Sequence, residues 1–406
     1  MRLLVLLALA LAAGAPQAQN GDRLAIGADT VYTAAGEPIE NGLVVMGGGK
    51  IVAVLPGPGD TEPLLRVAAI TPGLIDLGGW MNGGSISVEE ATETPAHLRA
   101  AEALDLFSHR WDRALRDGVT TLLATPPDDS VIGGVGVLVK TGGEPELEAR
   151  TVKADACLRG AIGTAPSRGN RTAGSFFGSN DHFVRRPTTR MGVEWVWRKT
   201  LYDAMAAERD PERSFDGATE LQAVLAGELP LVIGAATTQD IRTAIFLKRE
   251  FDIPHLVIQN AAEAWKEPAL VAGSGAAFVL PPMEWDGRIN LDRAFHAWNT
   301  AAILHERGVL VALAGNGASN GDGTEDIDAR LSLQPGFAMR GGLPFDAALA
   351  AVTVNPARMM GVEDRIGTIA AGKDADLVLW SGRPFEPTSR VVGVVLNGAL
   401  VIDPRN

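Results

Sequence analysis

Between residues 67 and 314, apolar runs of strand length recur with amphipathic segments of helix length between several of them, and this alternation narrows the fold more than any other feature of the chain. The runs are 67–77, 119–124, 135–139, 154–162, 230–235, 255–259, 276–280 and 309–314, each short, apolar and without the period-two alternation of a half-exposed strand. Such runs read as buried parallel strands. Amphipathic helices are expected at 95–117, with Leu104, Phe107, Trp111, Ala114 and Leu115 on one face and Thr94 as N-cap, at 238–251 and at 291–307. Eight strands with interleaved helices predict an α/β fold of the (β/α)8 TIM-like type. A doubly wound sheet is the weaker reading, because Gly47-Gly48-Gly49 opens no helix and so cannot serve as a phosphate-binding turn.

Both chain ends have a different character. Residues 24–28, 42–46 and 51–55, and again 375–380, 391–396 and 399–402, are short β-type runs broken by Gly, Pro and Asn-Gly turns. We expect the two ends to pair into one small β-sandwich domain, 20–68 plus 362–406, around a barrel of 69–361. Residues 1–19 have the charged, apolar and small-residue regions of a secretory signal peptide, with cleavage after Ala15 or Ala18, so an exported protein, periplasmic or secreted, is expected. No later segment is apolar for long enough to predict a membrane span. The net charge of −13 disfavours a nucleic-acid surface, and the basic run Arg185, Arg186, Arg190 reads as a solvated loop. The single cysteine, Cys157, cannot form a disulfide within the chain and reads as a buried thiol.

Several short motifs, in order, carry a family resemblance. Thr71-Pro72-Gly73-Leu74-Ile75-Asp76 resembles the first barrel strand of the amidohydrolase superfamily, which includes imidazolonepropionase-like enzymes, dihydroorotase and cytosine deaminase. Gly118-Val119-Thr120-Thr121 is similar to its second strand, and Asn355-Pro356-Ala357-Arg358 with Gly361 to its last barrel helix. Ile366-Gly367-Thr368-Ile369, Gly372-Lys373-Asp374-Ala375-Asp376-Leu377-Val378 and Asn397-Gly398 resemble the returning β domain, with Asp374 and Asp376 read as turn-forming carboxylates.

The resemblance implies one or two divalent metals, zinc or a similar ion. They would be held by a histidine pair after the first strand, usually a lysine on the fourth, histidines ending the fifth and sixth, and an aspartate ending the eighth. Placed on this chain, those positions fall on Gly78 and Trp80, Arg159, Gly234, Asn260 and Asn316. Glycine offers no donor, tryptophan only an N–H, and a guanidinium is a cation without a lone pair to give. Zinc prefers imidazole, thiolate or carboxylate to a neutral amide. None of the six histidines, His97, His109, His182, His255, His296 and His305, falls at a ligand position. His97 and His109 belong to the helix predicted at 95–117, and His296 and His305 to that at 291–307.

A degenerate member is therefore expected, without a metal cofactor. A bound metal lowers its water's pKa from about 15.7 to roughly 7. That is worth on the order of 12 kcal/mol, against about 3 to 5 kcal/mol from a side-chain acid or base. The expected pocket is Gly78, Trp80, Arg159, Gly234, Asn260 and Asn316, with Arg159, Glu263 and His182 as candidates for any replacement chemistry. Glu263 reads more readily as a helix-start ion pair with Lys266. Ser85, Ser87 and Ser319 find no histidine at a strand end, and the loop Asn320 to Asp326 lacks calcium-ligand spacing. The expected role is a metal-free pseudoenzyme that binds a small molecule or a catalytically active relative. The alternative is a hydrolase of carbon–nitrogen bonds in cyclic or linear amides with a non-standard site.

Overall fold

The computed structural model describes residues 23–57, 62–78, 89, 91–167, 186–283, 288, 289, 292, 294–315 and 329–405. The N-terminal strands are β1 (Leu24–Val31), β2 (Ile39–Glu40), β3 (Gly42–Gly47), β4 (Lys50–Pro56) and β5 (Leu65–Pro72). The barrel contributes β6 (Leu74–Asp76), β7 (Val119–Ala124), β8 (Ile132–Lys140), β9 (Thr151–Ala161), β10 (Leu231–Gly234), β11 (Leu256–Gln259) and β12 (Ala277–Leu280). After the small pair β13 (Arg288–Ile289) and β14 (Ala294–Phe295) come β15 (Val311–Leu313), β16 (Leu377–Trp380), β17 (Val391–Leu396) and β18 (Ala399–Ile402).

One sheet runs β18-β17-β16-β5-β1-β3-β4, with β2 beside β1, so strands from both ends of the chain share one hydrogen-bonded ladder. The join is β5 against β16, antiparallel, with Ile70 opposite Leu379. Apolar side chains including Ile26, Val44, Ile70, Leu377 and Val395 form its core. The apolar run 67–77 is thus not a single barrel strand. Its first part belongs to this sheet, Gly73 breaks it, and only Leu74–Asp76 enters the barrel. A Cβ at Gly73 would lie 2.0 Å from Thr120 Oγ1, so only glycine lets the chain cross there.

The second sheet runs β15-β12-β11-β10-β9-β8-β7-β6 and curls into a nearly closed eight-stranded barrel. Among the described residues no ladder joins β15 to β6. Leu313 N–H donates to Ala351 O at 3.0 Å and Ile75 N–H to Val352 O at 2.9 Å, so the backbone at 351–352 satisfies both edges. The inner face packs Ile75, Leu77, Leu123, Leu138, Cys157, Val232, Val257, Val279 and Ala312 together. Burial pushes the Cys157 thiol up to about 12, which leaves it unreactive at neutral pH.

Three expectations are corrected. The third barrel strand, expected at 135–139 as parallel, is antiparallel to both neighbours, because β7 and β8 form a hairpin with no helix between them. The helix expected at 95–117 is two pieces: a short turn at Ala100–Ala103 and a helix at His109–Arg116 capped by Ser108, not Thr94. Asp105 breaks it, accepting from Phe107 N–H at 3.0 Å and, through its carbonyl, from Trp111 Nε1–H at 2.7 Å. Phe107, expected on the apolar face, is exposed. The helix expected at 291–307 spans only Thr300–His305, and His296 lies before it as a buried residue after β14.

The expected helix at 238–251 runs Thr238–Glu250. The longest helix among the described residues, Arg190–Arg209, buries Val193, Val196, Trp197, Thr200, Leu201 and Ala204 at helical spacing, a signal present in the sequence. Arg190 heads this helix and does not belong to a solvated loop. Among the described residues no helix is long and apolar enough to cross a membrane.

A buried ionic cluster ties barrel to sheet. Lys140, at the end of β8, pairs with Asp376 and, at 3.2 Å, with Asp374, which also holds Lys50 at 2.5 Å and Arg365 at 3.2 Å. Asp376 also accepts from Asn397 N–H at 2.9 Å. The two aspartates of the returning motif are thus structural anchors of the sheet.

Candidate functional site

Functional side chains of a barrel gather where its parallel strands end. Arg159 projects from β9 near that end, Gly234 closes β10, and Asn260 follows β11 with φ of 59°. Parallel pairing of β9, β10 and β11 sets the three side by side. What joins them is a residue the sequence reading did not single out. Asp128, on the hairpin loop between β7 and β8, sends its carboxylate across the mouth. Oδ1 accepts from Arg159 Nη2, and Oδ2 accepts from Asn260 Nδ2 at 3.1 Å. The carboxylate lies over Gly234, where a Cβ would stand 2.6 Å from Oδ1. Asp128 follows Pro126-Pro127 at a barrel-strand end, and that position was the signal that could have found it.

The Arg159 side chain is 4 % exposed, and its Nε and Nη1 have no hydrogen-bond partner among the described residues. Beside Asp128 opens a cavity of about 100 Å3, with Asn260 and Asp292 on its walls. Asp292 accepts from Arg190 and from Thr164, and Arg190 also donates to Asp240 at 2.8 Å. This second ionic group fastens the start of the Arg190–Arg209 helix to the mouth.

On the opposite side, Gly78 is packed too tightly for a side chain: a Cβ would fall 2.4 Å from Ala314 Cβ. Asp76, at the end of β6, is fully buried, and its Oδ1 accepts from Gly78 N–H at 2.8 Å and Gly315 N–H at 3.2 Å. Burial raises its carboxyl to about 7, against the two backbone donors, with a further push from the charge of Asp117. The sign follows. Between the unfolded value near 4 and about 7 the folded chain holds a proton that the unfolded chain has lost, so stability falls as pH rises across that window. We expect the wild type to lose stability relative to Asp76→Asn between pH 5 and 7, by up to about 1.4 kcal/mol per pH unit. Denaturant titrations of both proteins at several pH values measure this difference. Gln259 Nε2 donates to Leu77 O at 2.9 Å and links the two sides of the mouth, while Gln259 Oε1 has no partner among the described residues.

Glu263 lies elsewhere in function. Its Oε2 accepts from Thr238 N–H at 3.0 Å and Oγ1 at 2.9 Å, and its Oε1 pairs with Lys266 at 2.7 Å. It caps the Thr238–Glu250 helix and has no free valence for chemistry. Burial holds His296 neutral, lowering it to about 4, despite a hydrogen bond to the Pro282 backbone. Trp80, His182 and Asn316 lie outside the described residues.

The described ligand positions do not suit a divalent metal. Arg159 brings a positive charge, Gly234 no donor, and the Asn260 amide points its N–H donors at Asp128. Among the described residues, no group of three or more His, Cys, Asp or Glu side chains is placed to hold a metal ion.

An eight-stranded, nearly closed barrel joined to a sheet built from both chain ends defines an amidohydrolase-like α/β protein. The family model described as the Amidohydrolase family matches residues 293–401. An amidohydrolase from Thermotoga maritima MSB8 superposes with a TM-score of 0.80 at 28 % identity, covering 94 % of this chain and 100 % of that one. In sequence and in fold the chain is similar to proteins of the amidohydrolase family.

Among curated proteins, Amidohydrolase tasK of Hapsidospora irregularis is 24 % identical over 92 % of this chain and 37 % of its own length. The urease alpha subunit of Yersinia pestis (strain Pestoides F) is 35 % identical over 25 % of this chain and 20 % of its own. The chain thus spans less than two-fifths of the length of these curated relatives. A zinc-bound adenosine deaminase from Xanthomonas campestris, 17 % identical with a TM-score of 0.53 over 94 % of this chain and 93 % of that one, shares the fold.

Proposed function

We propose that this chain is an exported amidohydrolase-superfamily barrel whose metal-binding mouth is rebuilt as a metal-free ligand pocket, so that it binds a small molecule instead of hydrolysing one by metal catalysis. The observation that carries this reading is Asp128, held between Arg159 and Asn260 over the bare backbone of Gly234. Three positions at which the superfamily resemblance places metal ligands are here turned toward an internal carboxylate. The guanidinium repels a dication, and the carboxylate that could attract one is already committed to that guanidinium. Binding of a small ligand, in preference to a partner protein, is favoured by the cavity beside Asp128. Export rests on residues 1–19, whose pattern is that of a signal peptide.

The test is direct. Purified protein is incubated with zinc, manganese and ferrous iron in turn, desalted, and analysed for bound metal and for hydrolysis of cyclic and linear amides. The expected result is far less than one metal per chain and no metal-dependent turnover. Stoichiometric metal that supports amide hydrolysis would overturn the proposal.

A further inference from the structure

We infer that the mouth is a carboxylate-binding site, that Asp128 is its built-in occupant, and that a short aliphatic monocarboxylate is the class of ligand that replaces it. This rests on the metal-free reading of the same mouth. The molecule already displays the complex: a carboxylate lies against the backbone of Gly234, with one oxygen taken by Arg159 Nη2 and the other by Asn260 Nδ2. The donors come from β9 and from the residue after β11, whereas the carboxylate comes from a hairpin loop and is 29 % exposed. The receptor is therefore barrel frame, and its occupant is a loop side chain within reach of solvent.

The internal fit is also incomplete. Asp128 engages a single nitrogen of the guanidinium, and Nε and Nη1, buried with it, have no partner among the described residues. A free carboxylate lying along one edge of the guanidinium would engage two N–H groups at once, a stronger arrangement. The adjoining cavity of about 100 Å3 is bounded by Ile162, Ala165 and Pro166, which suit a tail of two or three carbons. Displacement needs only a side-chain rotation of Asp128 toward solvent, and no bond is made or broken.

The experiment is isothermal titration of the full chain with sodium acetate and sodium propionate. It is run in the presence of a chelator, with sodium chloride as the ionic-strength control, on the wild type and on Asp128→Ala, Asp128→Asn and Arg159→Met. Removing the internal competitor should tighten acetate binding at least about tenfold in Asp128→Ala. Acetate should also raise that variant's unfolding temperature, as a ligand of the folded state does. Arg159→Met should lose binding. Asp128→Asn keeps the shape of the side chain without its charge, and serves if the alanine variant does not fold. The inference is overturned if both Asp128 variants bind acetate no better than wild type, if Arg159→Met binds as well as wild type, or if chloride competes equally. Because the titration is metal-free, metal-supported hydrolysis would defeat the functional reading without altering this outcome, and failure to bind carboxylates would leave that reading standing.

Discussion

Replacing Asp128 with alanine lowers the free energy of unfolding by about 3 kcal/mol, the low end of the range for breaking a buried ion pair from one side. The Arg159 side chain is 4 % exposed, and Asp128 is its one ionic partner among the described residues. Removing the carboxylate leaves a buried cation with three unsatisfied nitrogens, two of which are already without partners. Because Asp128 is 29 % exposed, water can enter where it stood and soften the loss. Arg159→Met leaves behind a carboxylate that can turn outward, so it costs less. The double variant Asp128→Ala/Arg159→Met recovers most of the difference, since removing both charges removes the unpaired one. Denaturant unfolding of the four proteins at pH 7 gives the coupling between the two side chains. Additive losses would mean that the pair holds nothing together.

The largest loss is expected at Lys140→Met, about 4 kcal/mol. Lys140 is 3 % exposed and faces Asp374 and Asp376, each 5 % exposed. Without the ammonium, the Asp376 carboxylate keeps, among the described residues, the Asn397 N–H alone, while Asp374 still holds Lys50 and Arg365. Burial alone would raise the Asp374 carboxyl, but the Lys50 hydrogen bond and the charges of Lys140 and Arg365 outweigh it and hold it below the usual range. A depressed carboxyl contributes stability above its unfolded value near 4 and loses it as pH falls through the folded value. The gap between wild type and Lys140→Met should therefore be widest near pH 8 and narrow as pH falls, because protonation relieves the uncompensated buried charge in the variant. Urea unfolding at each pH measures it, and a gap that widens in acid would contradict the assignment.

The strands of this protein are legible because a barrel strand is buried on both faces and so appears as a short apolar run; β7, β10, β11 and β12 fall within two residues of where such runs stand. Direction is not legible in the same way. Nothing in the apolar run 135–139 distinguishes parallel from antiparallel, and only the short hairpin loop after β7 turns β8 around. Length misleads as well: the run 67–77 reads as one strand, yet Gly73 hands it from one sheet to the other. Side-chain competition hid the break in the helix expected at 95–117, where Asp105 ties down its own neighbours.

At the site, motif order placed Gly78, Arg159, Gly234 and Asn260 at strand ends, and strand register sets the last three side by side. The position of Asp128 at a barrel-strand end was legible, but its contact was not, for a physical reason. Its role depends on a loop folding across the barrel mouth onto a glycine, and neither local pattern nor charge announces such a contact. Asp76 was read as part of a strand motif, whereas its burial beneath Gly78 and Gly315 makes it a titrating group.

The account turns on what lies above Gly234, and crystals grown with excess zinc examine that point most directly. Anomalous difference maps collected on either side of the zinc absorption edge should be featureless among Gly78, Arg159, Gly234 and Asn260, with the Asp128 carboxylate in place against Arg159. A strong anomalous peak there, coordinated by protein side chains, with Asp128 turned away from Arg159, would contradict it.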